Sequence, residues 1–213
     1  MNLPNGADSG GPWPVVFNWH GMGDNAQNFS GLVSPFVNDP NFSFIAITPN
    51  NTNPTAEPRL FKSVLDCLVQ HYNVDENHIH AMGFSYGAMS VDRVVVAHTE
   101  RLASVLSYSG QYASYNNTSP NKYVQVFVHG GNSDAVGINF GQAATKDSNT
   151  LVNQGHDVIV CNHGQGHTVP NSMYTDKAIE FFADHPLGTH ESPYRSGLPA
   201  DFPNYCEFKQ AAK

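Results

Sequence analysis

The sequence predicts an open, mostly parallel β-sheet covered by helices on both faces. Short apolar runs alternate with runs of helical period through almost the whole chain, which is how a buried parallel sheet and its crossover helices read. Several of the apolar runs end in glycine-rich turns, and in open parallel sheets functional groups collect at such carboxyl ends. A chain of 213 residues, 40% of them hydrophobic and only 13% charged, can bury one sizeable core. Residues 1–213 are therefore expected to form a single domain.

The expected strands are Val15 to Trp19, Phe42 to Thr48, His78 to Phe84, Leu102 to Tyr108, Tyr123 to His129 and Asp157 to Cys161. Helical spacing is clearest in Pro58 to Tyr72, where Leu60, Phe61, Val64, Leu65, Leu68 and Tyr72 recur at three and four residues. Gln142 to Asn153 and Ser172 to Phe182 carry weaker forms of it, and Ala88 to Ala97 is helix-compatible. The connection from Ser109 to Lys122, fourteen residues long and polar overall, is too short to hold a helical cap, so an open site is expected. Met1 to Pro14 is likewise too short for bordering antiparallel strands, which implies that amino-terminal strands are absent. Residues 186–213, rich in Pro and Gly and without period, are expected to pack as an irregular strap.

Composition excludes several classes of partner. The formal net charge of -8, with ten scattered Lys and Arg, argues against nucleic acid or an anionic membrane surface. No apolar run reaches transmembrane length, and the residues after Met1 lack a basic region and apolar core for a leader. Low charge with abundant Asn and Gly suits a secreted enzyme whose leader is absent from this chain. Of the three cysteines, Cys67 falls on the helical run near Leu65 and Leu68 and reads as a buried free thiol. Cys161 and Cys206 are left as the disulfide pair.

Chemistry concentrates at four strand ends. Gly83-Phe84-Ser85-Tyr86-Gly87 lies between an apolar run and a helical run, the setting of a nucleophile elbow that projects a serine hydroxyl above the sheet. The fifth strand leads into His129-Gly130-Gly131-Asn132-Ser133-Asp134, and the sixth into His163-Gly164-Gln165-Gly166-His167. Serine, acid and histidine thus follow in the chain order of an α/β-hydrolase triad. Serine is a poor nucleophile unless a neutral imidazole takes its proton, and the imidazole needs a carboxylate to hold its tautomer.

Asp134 is preferred to Asp147 and Asp157, which fall in or near the next helix and strand and read as solvated. His163 competes with His167 as the base. The first strand ends in His20-Gly21-Met22-Gly23, so the backbone N–H groups of Met22 and Tyr86 are the expected oxyanion hole. His20 and His129 are expected to bond within their own turns, and histidines 71, 78, 80, 98, 156, 185 and 190 to lie at the surface or at helix ends. No second ligand cluster accompanies His163, His167 and Cys161, so neither a metal nor a cofactor is expected.

With these motifs the chain resembles the feruloyl esterase and polyhydroxybutyrate depolymerase-like (LpqC-like) group of α/β-hydrolases. The resemblance rests on His20-Gly21-Met22-Gly23, on Tyr72-Asn73-Val74-Asp75 followed by His78 to Gly87, on His129-Gly130 with Asp134, and on Gly166-His167-Thr168-Val169-Pro170. It implies a triad of Ser85, Asp134 and His167 and hydrolysis of feruloyl or similar bulky esters of plant polysaccharide. Polyester or acetylated xylan are the alternative substrates. The rival of another class is a silent binding module that keeps the fold.

Overall fold

The computed structural model describes residues 1–50, 55–111, 119–174 and 176–211. They form one seven-stranded sheet with strand order β2-β1-β3-β4-β5-β6-β7. The strands are β1 (Trp13–Trp19), β2 (Ile45–Ile47), β3 (Val74–Phe84), β4 (Ser104–Tyr108), β5 (Val124–His129), β6 (Val158–Asn162) and β7 (Cys206–Lys209). All neighbours run parallel except β6 and β7. The longer helices are α2 (Glu57–His71), α3 (Tyr86–His98), α4 (Phe140–Asn153) and α6 (Asp176–Ala183), with short α1 (Ala26–Ser30) and α5 (Asn171–Tyr174).

Alternation along β1 shows why both faces are covered. Val15, Phe17 and Trp19 join Phe61 and Leu65 of α2, Val91 and Val94 of α3 and Leu151 of α4 in one apolar layer. Val16, one step out of phase, joins Phe29 of α1 and Phe181 and Phe182 of α6 in the other. Successive strand side chains point to opposite faces, so each face needs its own helices. From β1 the chain crosses to the edge strand β2 and returns to β3 on β1's other side. That reversal opens a crevice above the carboxyl ends of β1 and β3.

The structure corrects several expectations. Residues 186–213 are not wholly irregular: Cys206–Lys209 pair antiparallel with β6 in register, Cys161 opposite Cys206. Cys161 and Cys206 are disulfide-bonded across that pair. The strap is further fastened by Asp157, which is 1% exposed rather than solvated. Its carboxylate accepts from the Arg195 guanidinium at 2.7 and 3.1 Å and from the Ser192 and Ala211 N–H groups. Burial alone would raise this carboxyl, but Arg195 and the two N–H groups outweigh it and hold it below the usual range. Asp147 is buried as well.

Cys67 is free but exposed, not buried. Phe61, Leu65 and Leu68 form the inward stripe of α2, whereas Cys67 lies about 100° around the helix from Leu68 and outside it. Histidines 80, 156 and 185 are fully buried rather than superficial. His80 bonds Ser104 Oγ and stacks on Phe182; His185 bonds the Phe181 carbonyl and Ser192 Oγ. Part of the Ser109 to Lys122 connection, residues 112–118, lies outside the described residues.

Candidate active site

Ser85 occupies the turn between β3 and α3 with φ 56 and ψ -118, a backbone region that costs a non-glycine residue about 1–3 kcal/mol. Glycines make the turn possible. A Cβ on Gly87 would lie 2.2 Å from the Trp19 carbonyl oxygen, and one on Gly83 would lie 2.6 Å from the Gly87 carbonyl carbon. Helix α3 therefore starts in direct backbone contact with the ends of β1 and β3, and Ser85 N–H is held by the Tyr108 carbonyl at 2.8 Å.

The two other expected residues meet Ser85 here. His167 Nε2 is 3.0 Å from Ser85 Oγ, and His167 Nδ1 is 2.7 Å from Asp134 Oδ1. A carboxylate only accepts, so the proton sits on Nδ1 and leaves Nε2 free to receive the serine proton. Asp134 is completely buried. Its second oxygen accepts from Ser109 Oγ–H at 2.8 Å and from Gly130 N–H at 2.9 Å, so neither oxygen lacks a partner. The loops carrying acid and base are also in contact: Gly166 N–H bonds the Gly130 carbonyl, and a Cβ on Gly130 would lie 1.9 Å from the Gly166 oxygen.

Aromatic rings fix the imidazole plane. Phe140, the first residue of α4, stacks on His167 with centroids 5.0 Å apart, and Phe84 lies 4.8 Å away. The loop from Asp134 to Phe140 is closed by Phe140 N–H on the Asp134 carbonyl, which couples this stacking ring to the acid. Tyr108 on β4 donates its hydroxyl to the Met173 carbonyl at 2.6 Å and anchors α5, just beyond His167.

His163 does not reach the serine. Its Nδ1 accepts from Gln165 N–H, and burial lowers its pKa. His20 bonds the Gly21 carbonyl, and His129 accepts from Gly131 N–H, each within its turn. Met22 stands in the exposed turn after β1, and Tyr86 is the first residue of α3. Among the described residues neither backbone N–H has an acceptor, and a Cβ on Gly21, adjoining Met22, would lie 3.0 Å from the Phe84 ring. Also among the described residues, no group of three or more His, Cys, Asp or Glu could hold a metal ion, and no helix is long and apolar enough to cross a membrane.

Ser109 escaped the sequence reading. It is a buried residue with φ 49, in the left-handed region that non-glycine residues seldom adopt, and its hydroxyl meets the acid. Its place immediately after β4 and before Gly110 was the available signal, because strand ends are where such groups gather.

A parallel sheet with a serine elbow at its switch point, and an acid and a histidine from later strand ends, defines an α/β-hydrolase. The chain belongs to the phospholipase/carboxylesterase family, whose model matches residues 55–185. Over 62 residues it is 36% identical to NocK of Nocardia uniformis subsp. tsuyamanensis, whose name describes an esterase; that stretch is 29% of this chain. The match spans only 18% of that relative's length. Among solved structures, one titled pOPH native superposes with a TM-score of 0.73 at 15% identity over 95% of this chain and 87% of that one. The carboxylesterase of Bacillus cereus gives 0.63 at 16% identity over 80% and 87%, and that of Mesorhizobium loti 0.61 at 14% over 78% and 87%. At such identities the likeness is one of fold.

Proposed function

We propose that this protein is a serine carboxylesterase working through an acyl-enzyme. The observation that carries the reading is the continuous chain from Ser85 Oγ through His167 to the buried Asp134, at 3.0 and 2.7 Å. Ser85 attacks the ester carbonyl as its proton passes to His167 Nε2. Asp134 holds the imidazole tautomer and stabilises its cation, and the Met22 and Tyr86 N–H groups receive the carbonyl oxygen as it becomes an oxyanion. His167 then donates its proton to the leaving alcohol, and water repeats the sequence on the acyl-enzyme.

The substrate class we assign is feruloyl or similar bulky aromatic esters of plant polysaccharide. Phe84 and Tyr86 support it, since both flank Ser85 and are partly exposed, offering ring surface to an aromatic acyl group. A polyester is the second reading. It is favoured by Met22 and Val136, which are 79% and 62% exposed on the turn after β1 and the loop after Asp134. The disulfide between Cys161 and Cys206 supports secretion, because such bonds persist in oxidising compartments.

The test is a panel of methyl ferulate, acetylated xylan, a short p-nitrophenyl ester and polyester particles. Highest kcat/KM on methyl ferulate is the expected result. Preference for particles would move the assignment to polyesters, and no hydrolysis of any ester would leave a silent binding module.

A further inference from the structure

Behind the turn that carries Asp134, a cavity of about 440 Å³ opens between the ends of β5 and β6 and the first turns of α4. The hydrogen-bonding side chains in its wall include those of His129, Asn132, Gln142, Lys146 and Asn162; among the described residues no carboxylate lines it. In a chain with 18 acidic residues and ten Lys and Arg, that composition is distinctive. The carboxylate of Asp134, on the adjoining turn, is already engaged, with one oxygen on His167 and the other on Ser109 and Gly130.

His129 gives the cavity its direction. The side chain is 6% exposed and reaches the cavity from a buried position. Its Nδ1 accepts from Gly131 N–H at 3.1 Å, so the neutral ring carries its proton on Nε2. Nε2 has no hydrogen-bond partner among the described residues, which leaves its N–H available to a ligand acceptor. Lys146 adds a cation that makes no ion pair among the described residues. A lysine and an imidazole N–H in one wall select an anion, while the surrounding amides select hydroxyl groups. The volume exceeds what a bare carboxylate fills and suits one sugar ring.

We propose that this cavity binds a sugar acid, a carboxylate on a hydroxylated ring, with the carboxylate on Lys146 and His129 Nε2–H. In the polysaccharide-esterase reading, a uronate of the same polymer would occupy it while the ester lies at Ser85. Only that second statement rests on the proposed activity.

The binding is tested on the intact protein by calorimetry with sodium D-glucuronate, D-glucose and sodium acetate at fixed ionic strength. Saturable glucuronate binding, at least ten-fold tighter than glucose or acetate, is expected. Lys146 is exposed and Lys146→Met should fold normally, yet lose that ten-fold advantage over glucose. Ser85→Ala should bind glucuronate as the wild type does, which separates failure of this site from failure of the esterase reading. Equal binding of all three compounds, no binding of glucuronate, or a Lys146→Met protein that still prefers glucuronate ten-fold would overturn the proposal.

Discussion

Ser109 adopts a costly backbone conformation for the sake of one hydrogen bond to Asp134. Two donors on Oδ2 leave Oδ1 facing His167, so the hydroxyl acts as a positioning group for the acid. Ser109→Gly accepts φ 49 without strain but deletes the donor, whereas Ser109→Ala keeps the strain and deletes it too. Both should lower kcat by roughly ten-fold with little change in KM, since the acid is misaligned while substrate contacts remain. Thermal unfolding should then separate them: Ser109→Gly should melt at or above the wild-type temperature and Ser109→Ala below it. An unchanged kcat in Ser109→Gly would reduce Ser109 to a turn residue. Ser85, Asp134 and His167 were legible because a glycine-flanked serine and two loop residues stand at strand ends. The partner of Asp134 was not, since Ser109 lies 25 residues earlier and only the pairing of β4 with β5 brings them together.

Strands β1 to β6 were legible as apolar runs because the buried parallel strands face helices on both sides. Strand β7 was not. Its Cys-Glu-Phe-Lys segment is short and half charged, as an edge strand protected from further pairing should be. It forms because β6 offers an edge, and because the disulfide and the Asp157 bond to Ala211 N–H clamp both of its ends. The Cys67 expectation failed for a related reason: Leu60 and Val64 suggested an apolar stripe wider than the one the sheet covers. Cross-linking 45 residues apart should stabilise by roughly 4 kcal/mol on the chain-entropy account. The Cys161→Ser/Cys206→Ser double variant should therefore lose up to that amount in denaturant unfolding. Its kcat should change by less than about three-fold, because Asp134 is anchored from β4 and β5 rather than from β7. A variant of full stability would show that the Asp157 contacts alone hold the strap.

Acid stability belongs to the molecule as a whole. Burial pushes His156 and His185 down to about 4 and His80 well below its ordinary value, so all three are neutral in the fold. Each would bind a proton near pH 6.5 once unfolded. The unfolded chain therefore holds more protons below that value, and stability falls as pH drops from about 6.5 towards 4. The slope is up to roughly 1.4 kcal/mol per pH unit for each histidine. Glu57, raised by burial against its bond from Trp19, opposes the trend with a single group. Denaturant midpoints at pH 7.5, 6, 5 and 4.5 should decline steadily; a flat series would mean that these imidazoles are protonated in the fold. No local pattern announces a buried histidine, because its neutrality depends on neighbours such as Phe182, Tyr123 and Ser192 from distant elements.

All of these elements converge on one claim, that the fold activates Ser85 through His167. A fluorophosphonate probe reads this directly, since only an activated serine reacts quickly, and peptide mass spectrometry locates the adduct. One label at Ser85 is predicted, with the labelling rate reduced by roughly three decades or more in His167→Ala and little changed in His163→Ala. Labelling at another residue, or a His167→Ala protein that reacts as fast as the wild type, would contradict it.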